Sequence, residues 1–356
     1  MNVCIQKVHV KNFRCFSSST FDFDAPVVII EGDNGSGKTS LLEALHYTCY
    51  LKSFRTHISR DLVAFDAQNF FIGVTHAEHI ISIGSTGLKK QVKIDQKVIV
   101  SYQELRNYYR AVTITEDDLT LIKGSPEKRR FFFDNAIVLA QSQQSLLYRR
   151  YKEVLEQRNA FFLHHKYSQE EHYLWTEKLW NLSCSIQILR KNYLELLKKH
   201  FMHYASSEWP LYEIDFLYQT KESVESNFDT FYDCKKELFK KEYIYKRTLF
   251  GAHLDEIEIT FSGKKARLYA SRGQQKLLVL LLKISQISIL LEHYTIDKLV
   301  FLLDDFMTDF DHDVFNKLMK LLTQLSVQLI FTSPVIQGSE RLYCKNNNIP
   351  IKVITI

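Results

Sequence analysis

The chain has 356 residues, of which 46% are apolar and 24% charged; this suffices for one large or two ordinary domains and excludes a disordered or fibrous protein. A net charge of +5 permits a polyanionic partner without requiring one. The six cysteines form no C-x-x-C pair, which disfavours a zinc site and indicates a reducing compartment. The sequence has no signal-like start and no window of 18 apolar residues, so we expect a soluble, cytoplasmic protein outside the membrane.

The first strands lead into a glycine-rich loop. Residues 27–31 form a β-branched apolar run typical of a buried strand, and residues 40–47 have helical spacing. Between them lies a match to the P-loop pattern, Gly32-Asp33-Asn34-Gly35-Ser36-Gly37-Lys38-Thr39. In such a loop, backbone N–H groups and the helix N-terminus, which begins near Ser40, bind phosphate oxygens. Lys38 would reach the β- and γ-phosphates and Thr39 would bind Mg²⁺. The alternative is a simple glycine-rich turn, which would not explain the flanking strand and helix.

Short strands predominate on both sides of this loop. Arg14 lies upstream, where it would either reach a nucleotide from the side or remain a solvated turn charge. After the P-loop helix, strands are predicted at 70–74, 80–83 and 91–94, with a fourth at 97–100. Their spacing favours an antiparallel sheet, and 112–115 predicts a strand that returns to the core.

A long helical stretch follows. Ser125-Pro126 is a good helix start, and helical periodicity continues to about residue 199 without a glycine. We expect at least two long antiparallel helices with a turn at 164–168, ended by Trp209-Pro210. A strand at 211–218 and a helix at 228–245 follow. The lysine run of that last helix is either a solvated face or a nucleic-acid contact.

Strands return near the C-terminus. They are predicted at 257–261, 266–270, 299–303, 328–332 and 351–354, and an apolar helix at 277–291 is opened by Ser271-Arg272-Gly273-Gln274-Gln275-Lys276. Asp304 and Asp305 end a buried strand, as expected of a Walker B site in which Asp304 holds Mg²⁺ through water and Asp305 faces the attacking water. A helix N-cap or surface aspartate pair is the alternative. Ser271 and Gly273 at a helix N-terminus suit an anion.

These motifs together resemble the ABC-type ATPase head of SMC-like proteins, and more fully the RecF family. The family-specific runs are Glu116-Asp117-Asp118-Leu119 with Lys123-Gly124-Ser125-Pro126, Arg129-Arg130 and Asp134, and then Arg247-Thr248-Leu249 with Gly251 and His253. The sequence departs from the family pattern at several positions. The usual Gly-Pro-His-Arg-Asp-Asp is here Gly251-Ala252-His253-Leu254-Asp255-Glu256, and the missing arginine puts the role of this segment in doubt; Asp33 replaces the common proline or glutamine. Thr332-Ser333-Pro334 takes the place of a switch histidine.

The resemblance implies an α/β fold: an ABC-type ATPase head of mixed sheets, with a P-loop core, an antiparallel lobe and an inserted all-helical arm domain. The implied division is 1–125 for the ATPase lobe, 126–245 for the arm and 246–356 for the second part of the head. It further implies ATP and Mg²⁺ as cofactors, with Lys38, Asp304 and Asp305 in catalysis.

The resemblance also implies an ATP-dependent homodimer. Each P-loop would face Ser271, Gly273 and Gln274 of the other copy, with Asp311 at the interface. The dimer would clamp DNA at single-strand gaps, at double-stranded/single-stranded junctions, with RecO and RecR as partners in loading recombinase. Slow, DNA-dependent hydrolysis would reopen it. Arg55, Arg129 and Arg130 are guesses for DNA contacts.

Two other functions remain open from the sequence. One is a soluble ABC-type ATPase subunit of a transport or other complex that does not bind DNA. The other is a P-loop kinase acting on a small molecule; this is disfavoured because Asp304 lies 265 residues after Thr39 and because the Ser-x-Gly-Gln-Gln element has no place in it.

Overall fold

A computed structural model describes residues 2–86, 89–99, 104–163, 168–210, 212–221, 227–333 and 339–356. The strands, numbered in chain order, are β1 (Lys7–Phe13), β2 (Phe16–Asp22), β3 (Val27–Glu31), β4 (Phe70–His76), β5 (His79–Ser85), β6 (Lys90–Ile94), β7 (Lys97–Val98), β8 (Arg110–Ile114), β9 (Ile214–Gln219), β10 (Glu256–Phe261), β11 (Lys264–Lys265), β12 (Leu299–Leu303), β13 (Gln328–Ser333) and β14 (Ile351–Thr355). The helices are α1 (Lys38–Tyr50), α2 (Thr120–Lys123), α3 (Pro126–Ala140), α4 (Ser145–Phe161), α5 (Gln169–Glu208), α6 (Phe228–Cys234), α7 (Lys236–Tyr245), α8 (Ala266–Tyr269), α9 (Arg272–Leu291), α10 (His312–Gln324) and α11 (Ser339–Asn346).

The chain forms two compact units. The first unit combines residues 1–118 with 290–356, and the second unit is residues 119–289. The domain boundaries predicted from the sequence, at residues 125 and 245, stay a prediction.

A five-stranded parallel sheet with the order β14-β3-β13-β12-β8 forms the core of the first unit. β3, β12 and β13 are buried along their whole length, because continuous apolar runs suit strands covered on both faces. The carboxyl ends of parallel strands lie at one edge. The P-loop after β3, the aspartate pair after β12 and Thr332 at the end of β13 therefore meet there.

An antiparallel sheet completes the first unit. Its order is β2-β1-β4-β5-β6-β7, which confirms the predicted antiparallel arrangement. Alternate residues such as Val8, Val10, Ile72 and Val74 point into one apolar cluster that also contains Leu41 and neighbouring residues of α1. This shared cluster holds the P-loop helix against both sheets.

The second unit is built on α5, a helix of 40 residues. α4 lies antiparallel to it: Arg158 bonds to Thr176 at 3.1 Å, and Tyr151, earlier on α4, interacts with Ser183, later on α5. The unit also contains a three-stranded sheet, β11-β10-β9. Phe228, Phe231, Phe239 and Phe250 pack with α4 and α5 in an aromatic cluster. Both long helices were expected, and Trp209 caps the end of α5 as predicted.

Several predicted elements differ in detail. The strand predicted at 266–270 is wrong, because this segment forms the single-turn helix α8. The helix predicted at 228–245 is two helices that meet at Lys235. Residues 164–167 of the predicted turn, together with Val100, Leu211 and Pro334, lie outside the described residues.

α9 is long and apolar enough to cross a membrane, but 89% of its apolar window is buried within the protein. Helices with this degree of burial are typical of the cores of soluble proteins.

Candidate nucleotide-binding site

The P-loop needs its glycines for two physical reasons. Gly37 precedes α1 in a left-handed conformation, with φ +115°, and a Cβ there would lie 2.6 Å from the Cys15 Sγ. A Cβ at Gly32 would lie 2.4 Å from the carbonyl oxygen of Ile356. A side chain at either position would displace the loop, so the backbone N–H groups could no longer converge on a phosphate.

Lys38 lies over the loop rather than in solvent. Its ammonium donates to the carbonyl oxygens of Gly32 (2.9 Å) and Asp33 (3.0 Å), and the residue is only 5% exposed. The buried hydroxyl of Ser36 has no hydrogen-bond partner among the described residues. A phosphate oxygen would accept from both groups, so this loop fits a nucleotide.

Thr39 and Asp304 are joined directly, although 265 positions separate them. The Thr39 hydroxyl donates to Asp304 Oδ1 at 2.9 Å, and the Thr332 hydroxyl donates to the same oxygen at 3.0 Å. Thr332 in turn accepts the backbone N–H of Asp305 at 2.8 Å. Three neighbouring strand ends thus place a hydroxyl and two carboxylates together, which is a suitable oxygen set for Mg²⁺.

The electrostatics of this cluster favour a bound cation. Burial raises the pKa of Asp304 above its ordinary value; the hydrogen bonds from Thr39 and Thr332 oppose that rise, and the charge of Asp305 adds to it. Asp305 itself has φ +47°, a conformation that costs a non-glycine residue about 1–2 kcal/mol. A divalent ion would stabilise both charges.

Arg14 is not a solvated turn charge, because its side chain is 18% exposed and is paired. Its guanidinium makes two 2.7 Å bonds to the buried carboxylate of Glu43, on α1. Ser53 donates to the same carboxylate, and Arg55 lies 4.0 Å from it. Arg14 therefore fixes the P-loop helix and the segment after it. Glu43 was not predicted as part of the site. The available signal was a charged residue among the apolar residues of α1.

Ser271 and Gln274 begin α9 with a capping box. The Ser271 hydroxyl accepts the N–H of Gln274 (3.3 Å), and the Gln274 side chain accepts the N–H of Ser271 (2.8 Å). Ser271 and Gly273 are exposed, and a Cβ on Gly273 would meet open space. Asp311 similarly caps α10 by accepting the N–H of Val314 at 2.9 Å. These residues belong to helix starts that are accessible from outside the chain.

Two of the guessed DNA contacts lie in the second unit. Arg129 is 4% exposed and pairs with both oxygens of Glu256, at 2.9 and 3.1 Å, so the guess for Arg129 is wrong. Arg130 donates to the carbonyl oxygen of Asp255. Arg55, in the first unit, is the most exposed of the three guessed residues, with a side chain 45% exposed.

Comparison with known proteins identifies relatives of this chain. An AAA domain family model (AAA_23) matches residues 7–247. The chain is 31% identical to "DNA replication and repair protein RecF" of Pseudoalteromonas translucida, covering 92% of this chain and 91% of that protein. It is 27% identical to the protein of the same description from Acholeplasma laidlawii, covering 94% and 95%.

Among solved structures, the recombination mediator protein RecF-ATP of the RecFOR pathway superimposes with a TM-score of 0.81 at 26% identity, covering 93% of this chain and 92% of that one. An Smc head domain from Pyrococcus furiosus superimposes with a TM-score of 0.56 at 14% identity, covering 96% and 91%. That likeness concerns the fold alone: an ABC-type ATPase head.

Proposed function

Because this chain belongs to the RecF family, an ATPase family of DNA replication and repair, we propose that ATP and Mg²⁺ bind at its P-loop and that ATP hydrolysis controls a dimer on DNA. The observation that carries the proposal is the contact of Thr39, Asp304 and Thr332 at three adjacent strand ends. It joins the two halves of a nucleotide site that the sequence places far apart.

Each residue of the site has a proposed task. Residues 32–37 donate backbone N–H groups to phosphate oxygens. Lys38 exchanges its bonds to loop carbonyls for bonds to the β- and γ-phosphates. Thr39 supplies an oxygen ligand to Mg²⁺, and Asp304 orients a water of the ion. Mg²⁺ would neutralise charge that develops on the phosphates. Asp305, held by Thr332, faces the attacking water.

The second copy of the chain would complete the site. Ser271, Gly273 and Gln274 start a 20-residue helix. Ser271, Arg272 and Gly273 are exposed and Gln274 is half-buried, and a helix N-terminus of this kind is favourable for a γ-phosphate. Asp311 would lie at the same interface. ATP binding thus favours closure of two copies, and slow, DNA-dependent hydrolysis favours opening.

The family and its RecFOR pathway support the biological setting. The dimer would bind DNA at single-strand gaps in the cytoplasm, with RecR and RecO as partners. DNA affinity that falls steeply with salt would separate this function from a transport ATPase subunit.

The test uses Lys38→Ala, Asp304→Asn and Ser271→Arg. Lys38→Ala should abolish ATP binding and lower turnover on the order of 10²–10³-fold. Asp304→Asn should retain part of the binding but lose Mg²⁺-dependent turnover. Ser271→Arg should bind ATP as a monomer and fail to dimerise in light scattering with ATP and gapped DNA. Wild-type turnover by Lys38→Ala would refute the nucleotide site, and normal dimers of Ser271→Arg would refute the shared site.

A further inference from the structure

A basic and partly apolar surface precedes the start of α9. This surface, here called the hairpin surface, comprises residues 262–272 and carries Lys264, Lys265, Arg267 and Arg272. All four cations are exposed, and the sequence from Phe261 to Leu291 contains no acidic residue. Lys265 pairs with Glu258 of β10. Residues 262–272 themselves contribute four cations and no carboxylate side chain.

Two large apolar side chains lie among these cations. Leu268 is 67% exposed and Tyr269 is 61% exposed. Both belong to α8, whose first residue, Ala266, and the next residue after it, Ala270, are buried, so the short helix is fixed with Leu268 and Tyr269 outward. Lys264 lies over the Tyr269 ring, 4.8 Å from its centroid. Exposed apolar residues ringed by charge are typical of interaction surfaces.

A complementary surface follows the Walker B strand in the first unit. Residues 304–313 contain five aspartates, and three of them, Asp309, Asp311 and Asp313, are exposed. Lys317 and Lys320 follow on α10. We call residues 309–313 the aspartate surface. It lies next to Asp304 along the chain, as the hairpin surface lies next to Ser271.

We propose that the hairpin surface of one copy docks on the aspartate surface of a second copy, and that this electrostatic contact selects the ATP-dependent dimer. The proposal rests on the shared site proposed above. If Ser271 and Gly273 meet the nucleotide of the second copy, the cations beside them meet the aspartates beside that nucleotide. Leu268 and Tyr269 would be covered in the same contact.

Two-fold symmetry makes the contact testable by charge exchange. In a symmetric dimer each copy contributes one hairpin surface and one aspartate surface, so two identical contacts form. Lys264→Glu/Arg267→Glu leaves the hairpin surface with two cations and two carboxylates, so its attraction to the aspartates is lost in both contacts of its own homodimer. Asp309→Lys/Asp313→Lys places two ammonium groups opposite the hairpin cations in both contacts. A mixture of the two variants restores unlike charges in both contacts. These four residues lie outside the P-loop, the capping box and the Walker B pair.

The experiment measures ATP-dependent association by light scattering at low salt. Each double variant alone should dimerise at least about 10-fold more weakly than wild type, while binding ATP normally as a monomer. The equimolar mixture should recover dimers, and these are heterodimers because neither variant dimerises alone at the same concentration. The matched control, Lys199→Glu/Lys241→Glu, reverses two exposed cations on α5 and α7 and should dimerise like wild type.

Dimerisation of both double variants at the wild-type affinity would overturn the proposal. So would a mixture that forms no dimers although each variant binds ATP and unfolds at the wild-type temperature. Loss of salt-dependent DNA binding by Lys264→Glu/Arg267→Glu with unchanged dimer affinity would also overturn it, because the hairpin surface would then be a DNA contact. Absence of ATP-dependent dimers in wild type would instead refute the proposed shared site.

Discussion

Thr332→Val removes one hydroxyl and keeps the shape of the side chain. Thr332 is 3% exposed, so water does not replace the hydroxyl freely. Two short bonds are lost, the one donated to Asp304 at 3.0 Å and the one accepted from the backbone N–H of Asp305 at 2.8 Å, together with a longer contact from the hydroxyl to Asp305 Oδ1 at 3.3 Å. The bond from Thr39 to Asp304 remains.

The size of the effect follows from these two bonds. A hydrogen bond to a charged group contributes about 1.5–3 kcal/mol. Asp305 also loses the contact that holds its left-handed backbone, and relaxation would turn its carboxylate away from the attacking water. If the loss falls on the transition state, kcat/KM for ATP should decrease roughly 10- to 100-fold. Because the pKa of Asp304 is already raised by burial, loss of a donor should raise that pKa further, and the acid side of the activity profile should move to higher pH.

The assay is steady-state ATP turnover over a range of Mg²⁺ concentration and pH. Thr332→Ser keeps the hydroxyl and should remain within a few-fold of wild type. If Thr332→Val has wild-type kcat/KM and an unchanged pH profile, Thr332 does not position the aspartates and the reasoning is refuted.

Three further predictions concern backbone strain, a buried ion pair and pH. Gly37→Ala should abolish ATP binding, because its Cβ would lie 2.6 Å from the Cys15 Sγ. Gly35→Ala has φ +87° but open space around its Cβ, so it should lower the free energy of unfolding by only about 1–2 kcal/mol. Thermal unfolding with and without ATP measures both effects. Arg190→Met leaves the carboxylates of Asp134 and Asp255 without their shared cation and should destabilise the protein by about 3–5 kcal/mol in denaturant unfolding; a change below 1 kcal/mol would contradict this. Burial lowers the pKa of His253 to about 4, so the unfolded chain binds the proton more readily and stability falls as pH decreases from 6.5 towards 4, by about 2 kcal/mol at pH 5; His253→Asn should remove that part of the pH dependence.

The parallel core could be predicted because its strands are continuous apolar runs. β3, β12 and β13 are buried on both faces, and each ends in a residue with recognisable chemistry. Parallel strand ends meet at one edge, so the proximity of Thr39 and Asp304 follows from the topology. The role of Thr332 does not follow, because its two bonds depend on the strand register and on the left-handed backbone of Asp305.

Short or isolated features were harder to predict. Residues 266–270 alternate as a strand would, yet they form one helical turn, since five residues do not distinguish the two periods. Arg14 could not be assigned because its partner Glu43 lies on the buried face of α1, where a charge is unusual. Arg129 was taken for a surface cation because nothing in the sequence indicates its pairing with Glu256.

The segment with the missing arginine keeps a structural role in spite of that departure. Asp255 accepts bonds from Arg190 (3.3 Å), Tyr218 (2.6 Å) and Gln187 (3.1 Å), and Arg190 also binds Asp134 through two 2.8 Å bonds. Leu254 precedes Asp255 in the chain, and its side chain takes no part in these polar contacts. The two family-specific runs, one containing Asp134 and the other leading to Asp255, are therefore joined through one guanidinium of α5. At Asp134 and Asp255 their chemistry is therefore structural: within the second unit, the buried Arg190 of α5 connects α3 to the segment before β10.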